Sequence, residues 1–210
     1  MKLLLARLSA LLLLAAGPAV AGDNLIGGDA AAGAEKALPC AACHGTDGNS
    51  INPEWPKIAG QHADYTFEQL KAFKLPQNDS PRFNALMFGQ TQGLSEDDMR
   101  DLAAFFASQQ VKPGAADPEL VARGERIYRG GLPESNVPAC IACHGPAGKG
   151  NAAAGYPALA GQHAVYTVNQ LRAYAAGERQ TDQNQIMRNI ASQMSEEDMR
   201  AVASLIEGLQ

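Results

Sequence analysis

The chain carries the motif Cys-x-x-Cys-His twice, 100 residues apart. The first copy is "CAACHGTDGNS", residues 40 to 50, and the second is "CIACHGPAGKG", residues 140 to 150. Two further pairs of segments match: "GQHADYTFEQLKAF" (60 to 73) with "GQHAVYTVNQLRAY" (161 to 174), and "LSEDDMRDLAAF" (94 to 105) with "MSEEDMRAVASL" (194 to 205). A unit this long, present in only two copies, predicts a duplicated domain rather than a solenoid, whose repeats are shorter and more numerous.

The first 21 residues have the features of a secretory signal peptide. Lys2 and Arg7 precede an apolar run, and an Ala-x-Ala-like cleavage site ends at Ala21. The run is shorter than the roughly 20 residues that a membrane-spanning helix needs. The sequence therefore predicts that residues 1 to 21 are a signal peptide, cleaved after Ala21, and that the chain is exported to the periplasm.

A linker separates the two copies. The segment "QQVKPGAADPEL", residues 109 to 120, contains two prolines and a glycine and few large apolar residues, a composition typical of linkers. We place the boundary near Pro113. The sequence thus predicts an N-terminal domain over residues 22 to 112 and a C-terminal domain over residues 113 to 210.

Both copies have a helical pattern. Helical spacing is seen at Tyr65, Gln69, Leu70 and Phe73, and a further helix is expected before the first cysteine. Ser95 is a candidate N-cap, followed by acidic residues in the first turn where the helix dipole favours them, and Ser195 takes the same place in the second copy. No alternating strand pattern or hairpin signature is present, so an all-α fold is predicted.

The charge of the chain disfavours nucleic-acid binding. Without the signal peptide, 15 of the 17 Lys and Arg remain against 22 Asp and Glu, a formal charge of −7. Residues 22 to 112 hold 12 acidic and 7 basic groups, whereas residues 113 to 210 hold 10 and 8. The more acidic N-terminal half is suited to steering a basic partner, although such a charge also serves solubility alone.

Three interpretations of the cysteines are open. Disulfides are common in exported chains, and two Cys-x-x-Cys pairs could also form a zinc cage, but neither explains the histidine after each pair. Cys-x-x-Cys-His is the attachment signature of c-type haem: the thiols form thioethers and the histidine becomes the proximal iron ligand. Two copies in an exported chain favour one covalent haem per domain. The residues predicted are Cys40, Cys43 and His44, and Cys140, Cys143 and His144.

The second axial ligand of the iron determines the kind of function. An iron with two protein ligands transfers electrons, whereas an iron with a vacant position can bind small molecules and catalyse reactions. Three pairs of residues recur in both copies as candidates: Met87 with Met187, Met99 with Met199, and His62 with His163. Met99 and Met199 follow the N-caps at the spacing of a hydrophobic staple, which favours a packing role. The two histidines start a helix, where capping or a contact with the haem propionates is favoured. Met87 and Met187 precede the last helix of each copy, where a flexible thioether can reach the iron, so both are predicted as distal ligands.

With these features the chain resembles the cytochrome c4 family of dihaem class I cytochromes c. The resemblance covers about residues 22 to 210. The segments that distinguish this family from other haem-binding families are "WPKIAGQH" and "YPALAGQH" after the two motifs and "YRGG" before the second. It implies two tandem class I cytochrome c domains, each wrapped around one covalent haem.

The resemblance also implies roles for further residues. The carbonyl groups of Pro56 and Pro157 would accept the Nδ1 hydrogen of His44 and His144, and the haem propionates would meet near the interface between the domains. Polar residues around Tyr128 and Arg129 would then bridge the domains.

The function expected is electron transport without catalytic residues. The protein would be a monomeric periplasmic carrier between respiratory donors and a terminal oxidase or other acceptor. Peripheral contact with the membrane surface is compatible with this. The main alternative is an electron-accepting dihaem subunit of a catalytic complex, such as a flavocytochrome sulfide dehydrogenase. A dihaem enzyme and a haem-free disulfide or zinc protein are further alternatives.

Overall fold

The computed structural model describes residues 26 to 210, so the predicted signal peptide lies outside the described residues. Within that range the chain is helical, and its only β-type pairings are two isolated bridges, Leu132 with Val137 and Asn151 with Tyr156. No helix of this part is both long and apolar enough to cross a bilayer. The all-α prediction is confirmed.

The two repeats have equivalent helices in the same order. The first contains α1 (Ala30–Lys36), α2 (Leu38–His44), α3 (Ala63–Lys74), α4 (Ala85–Thr91) and α5 (Glu96–Ala107). The second contains α6 (Pro118–Gly130), α7 (Ile141–His144), α8 (Ala164–Ala175), α9 (Ile186–Ala191) and α10 (Glu196–Gly208), with short 3-10 turns at Pro133–Ser135, Ala152–Ala154 and Gln183–Gln185.

Each closing helix begins at its predicted N-cap serine, which forms a capping box. The N–H of Asp98 donates to Ser95 Oγ at 3.1 Å, and the N–H of Ser95 donates back to Asp98 Oδ2 at 2.9 Å. Ser195 and Asp198 repeat the arrangement at the start of α10. These reciprocal bonds satisfy backbone donors that the first turn of a helix otherwise leaves without partners.

The first and last helices of each repeat cross in close contact at a glycine. A Cβ added to Gly33 of α1 would lie 2.0 Å from the carbonyl oxygen of Asp101 in α5. A Cβ on Gly124 of α6 would lie 2.3 Å from the carbonyl oxygen of Ala201 in α10. Any side chain at these positions would push the helices apart, so the two crossings fix the shape of each domain.

The linker is attached to both repeats. Most of it, including the predicted boundary Pro113, is the non-helical segment between α5 and α6, whereas residues 118 to 120 begin α6. Asn49 of the first repeat bonds Lys112 through its Oδ1 and the carbonyl of Gln110 through its Nδ2. The N–H of Gly114 donates to the carbonyl of Glu207 in the second repeat. The linker is therefore hydrogen bonded to the first repeat on one side and to the second repeat on the other.

Candidate functional site

Both Cys-x-x-Cys-His motifs lie on a short helix. In the first repeat the motif ends α2, and in the second it forms the start and body of α7. A single turn of helix brings residues three apart to the same side, so both sulfur atoms of a motif face one direction with the histidine beside them. Gly45 and Gly145 end the helices with φ values of 80° and 77°, a conformation that favours glycine.

The motif histidines are buried and oriented by proline carbonyls. His44 Nδ1 lies 2.8 Å from the carbonyl oxygen of Pro56, and His144 Nδ1 lies 2.9 Å from that of Pro157. Because a carbonyl can only accept, Nδ1 carries the hydrogen and Nε2 keeps its lone pair. No group among residues 26 to 210 hydrogen bonds to either Nε2.

Burial also favours the uncharged form of these imidazoles. It lowers the pKa of both His44 and His144, although the bond to the proline carbonyl acts in the opposite direction. A neutral ring with a free Nε2 and a fixed Nδ1 hydrogen is the form that binds iron. The residues present therefore suit a proximal haem ligand in each repeat.

Cys40 and Cys140 do not have the properties of redox or zinc cysteines. Burial raises the pKa of the Cys40 thiol and raises that of Cys140 to about 11, whereas redox and zinc cysteines have low pKa values. The four thiols are not paired as disulfides. In the described part of the chain no three His, Cys, Asp or Glu side chains form a metal cluster, so the two pairs do not form one cage.

The recurring methionines fall into two groups. Met99 and Met199 lie on α5 and α10 and are 1% and 5% exposed within the apolar cores, which confirms their predicted packing role. Met87 and Met187 lie on the short helices α4 and α9 and are only half-buried. Asn84 caps α4 by accepting the N–H of Met87 at 3.0 Å, which fixes the backbone from which that thioether extends.

The second pair of candidate histidines does not cap. His62 and His163 occupy the N-cap positions of α3 and α8, but neither side chain bonds the first turn. His163 Nε2 instead lies 2.8 Å from the carbonyl oxygen of Ser50 in the other repeat. The Nε2 of His62 is buried without a partner in the described part of the chain. His163 thus contributes to the contact between the repeats.

The expectation that Tyr128 and Arg129 bridge the domains is wrong. Tyr128 is fully buried in the core of its own repeat, where its hydroxyl donates to the carbonyl of Gly145 at 2.7 Å. Arg129 pairs with Glu125 one turn earlier in the same helix. Both residues lie on α6, whose buried face packs on α10 rather than on the first repeat.

The repeats instead meet through equivalent glutamines. Gln61 donates to the carbonyl of Ala158 at 2.9 Å and accepts the N–H of the same residue at 3.0 Å. Gln162 makes the same two bonds with Lys57, at 2.7 and 2.9 Å. The two repeats therefore pack with approximate twofold symmetry.

Two arginines complete the contact with crossed bonds. Arg82 donates to Tyr166 Oη at 2.5 Å and to Gln170 Oε1 at 3.0 Å in the second repeat. Arg179 donates to Tyr65 Oη at 2.5 Å in the first, and also to its buried Gln69. Arg179 is only 4% exposed.

The two guanidinium groups have only neutral partners. No ion pair within residues 26 to 210 includes either arginine. Burial raises the pKa of the Tyr65 phenol, but the positive charges of Arg179 and Arg82 outweigh this effect and hold it below its ordinary value. A buried cation such as Arg179, with the half-buried Arg82 beside it and no acidic partner, suits an anionic group such as a carboxylate. The two propionates of a haem meet this requirement.

The sequence carried a signal for part of this interface. The glutamines and tyrosines are identical in the two copies at an offset of 101, although polar residues under no packing constraint are free to differ. The arginines are 97 residues apart and do not align, so only the structure brings them together.

Comparison with known proteins agrees with this description. The family model for cytochrome c matches residues 30–110 and 121–210. Cytochrome c4 from Azotobacter vinelandii is 47% identical over 188 residues, covering 87% of this chain and 90% of that protein. A "thiosulfate dehydrogenase electron acceptor" from Stutzerimonas stutzeri is 37% identical over 171 residues, covering 80% of this chain and 77% of that protein.

A solved structure shows the same architecture. Reduced recombinant cytochrome c4 from Pseudomonas stutzeri superposes with a TM-score of 0.85 at 43% identity, covering 88% of this chain and all of that chain. The family model matches both repeats, and each repeat contains its own haem-attachment motif. The chain belongs to the cytochrome c4 family of electron-transfer proteins and carries two covalently attached haem c groups.

Proposed function

We propose that this protein is a periplasmic electron carrier with two closed haems, meaning that both axial positions of each iron are filled by side chains of the protein. His44 and His144 would be the proximal ligands, Met87 and Met187 the distal ligands, and the proline carbonyls would orient the histidines. The observation that carries the proposal is geometric: each repeat presents a buried imidazole with its Nδ1 on a carbonyl and its Nε2 free.

Two pairs of residues of the chain have roles in this function besides holding the haems. When bound, each haem supplies an iron that changes by one electron between ferric and ferrous. The thioethers of Met87 and Met187 would exclude water and small ligands from the irons and would favour the ferrous state. Arg82 and Arg179 would neutralise propionates at the interface, and both haems would then lie beside the contact between the repeats.

The predicted signal peptide and the charge support the proposed location and partners. The predicted signal peptide directs the chain to the periplasm, where respiratory donors and a terminal oxidase are the partners we propose. The more acidic N-terminal domain would dock on a basic surface.

The charge proposal predicts that electron transfer to a basic redox protein slows about tenfold between about 10 mM and about 200 mM NaCl, because salt screens the attraction. Stopped-flow mixing at both salt concentrations measures this rate. Glu68 and Glu125 form a matched pair, since both are exposed and each pairs with a basic residue on its own helix. Glu68→Gln should slow the low-salt reaction, whereas Glu125→Gln should not. A salt-independent rate, or equal effects of both substitutions, would contradict docking through the N-terminal domain.

A second function is favoured by one observation. The similarity to electron acceptors of thiosulfate dehydrogenase extends over 80% of the chain. In that case the protein would be the electron-accepting subunit of a sulfur-oxidising complex, a role close to that of the flavocytochrome subunit considered from the sequence. Isolation from the native source distinguishes the two: a catalytic protein that stays bound in constant ratio through size exclusion supports the subunit.

A further inference from the structure

One peptide group connects the first proximal histidine to the other repeat. The carbonyl of Pro56 accepts the Nδ1 hydrogen of His44 at 2.8 Å. The N–H of the same peptide group belongs to Lys57 and donates to Gln162 Oε1 at 2.9 Å. A continuous chain of two hydrogen bonds therefore runs from the imidazole of the first repeat to a glutamine of the second.

The second repeat contains the equivalent connection in the opposite direction. The carbonyl of Pro157 accepts from His144 Nδ1 at 2.9 Å, and the N–H of Ala158 donates to Gln61 Oε1 at 3.0 Å. Each histidine is thus joined, through a single peptide group, to a side chain of the opposite domain.

Both glutamines are held in place at each end of their amide. Gln162 Oε1 also accepts the N–H of His163 at 3.0 Å, and its Nε2 donates to the carbonyl of Lys57. Gln61 makes the same bonds with the N–H of His62 and the carbonyl of Ala158. With both amide ends bonded, the acceptor oxygen is fixed on the peptide N–H.

The chemistry of the peptide group transmits the effect. Resonance couples its N–H to its C=O, so an acceptor on the N–H makes the carbonyl oxygen more negative and a better acceptor. A better acceptor at Nδ1 makes the imidazole more electron-donating. Stronger donation stabilises ferric over ferrous iron and lowers the reduction potential.

We propose that Gln162 and Gln61 are positioning residues, each of which tunes the haem of the opposite domain through this peptide relay. The inference depends on the proposed function, because it takes His44 and His144 as iron ligands. It makes the potential of each haem depend on the contact between the repeats, so a partner that alters the contact would alter both potentials.

The test is a redox titration of the full-length holoprotein with Gln162→Leu, each haem being followed by NMR signals connected to His44 or His144. The reduced-to-oxidised ratio of the N-terminal haem at fixed ambient potential should rise about twofold. The reason is that the bond from His44 Nδ1 to the Pro56 carbonyl loses its cooperative strengthening. The C-terminal haem should not change. In the reduced protein the Nδ1 proton of His44 should shift upfield. Gln61→Leu should give the reverse pattern.

Further variants separate tuning from loosening of the interface. Gln162→Glu loses the donor to the Lys57 carbonyl but keeps an acceptor for the Lys57 N–H and adds negative charge, so the ratio should move in the opposite direction. Asn169→Ala removes the cross-domain bond to Glu54 at 3.1 Å, leaves the relay intact and should change neither potential. A shift of the haem in the mutated domain itself, equal shifts of both haems, or no shift would overturn the relay.

The spectrum of the unmodified protein distinguishes the two proposals. If its ferric methionine-to-iron band is present and its NMR signals place His44 and His144 on iron, unchanged potentials in the variants refute the relay alone. If those signatures are missing, the ligand assignment itself fails.

Discussion

Replacing Met87 by alanine is expected to open one of the two irons to carbon monoxide while the other stays closed. The thioether of Met87 is the proposed distal ligand of the N-terminal haem, and alanine has no atom that can replace it. After reduction and addition of carbon monoxide, half of the total haem should show the spectral change. The weak ferric methionine-to-iron band should also lose half its intensity. Met187→Ala should give the same result in the other half of the haem.

Met99→Leu is the matched control for the ligand assignment. Met99 is 1% exposed in the apolar core, and leucine preserves most of that packing without the sulfur atom. Its spectrum and its inertness to carbon monoxide should be those of the unmodified protein. An unchanged Met87→Ala spectrum, or an open iron in Met99→Leu, would show that the distal ligand of the N-terminal haem is a different residue.

Gly124→Ala is expected to destabilise the C-terminal domain by about 3 kcal/mol. The added methyl group would lie 2.3 Å from the carbonyl oxygen of Ala201 and 3.0 Å from the Cβ of Leu205, so α6 and α10 must separate. Urea unfolding followed by circular dichroism should show an early transition that contains about half of the helical signal. The fluorescence of Trp55, the only tryptophan and a residue of the N-terminal repeat, should change later.

Gly130 provides the control on the same helix. Its added Cβ would have no neighbour within 4 Å. Gly130→Ala should leave stability unchanged or slightly increased, because alanine reduces the conformational entropy of the unfolded chain. Equal effects of the two substitutions would show that the helix crossing does not limit the stability of the domain.

The helices and the attachment sites could be predicted because their signals are local. Ser95 and Asp98 lie three residues apart and bond each other, so the spacing in the sequence is the contact itself. The motif histidines likewise follow their cysteines directly on one turn of helix. Duplication strengthened both predictions, because each pattern occurred twice.

The interface could not be predicted in the same way. Which face of a domain packs on its neighbour depends on the shape of both surfaces, and no spacing within one segment encodes it. The resemblance implies bridging residues around Tyr128, but Tyr128 fills its own core, and Arg82 and Arg179 give no signal in the sequence because they are not at equivalent positions. The sequence does contain one signal for the interface. Gln61 and Gln162 are identical, although the core does not constrain either polar position.

The most direct test of the central claim is the visible spectrum of the mature protein, oxidised and reduced, with haem quantified and carbon monoxide added to the reduced form. A closed carrier predicts two haems per chain, the weak ferric methionine-to-iron band, and no response to carbon monoxide. A carbon monoxide shift in half or more of the haem of the unmodified protein would contradict this account, because at least one iron would then lack its methionine.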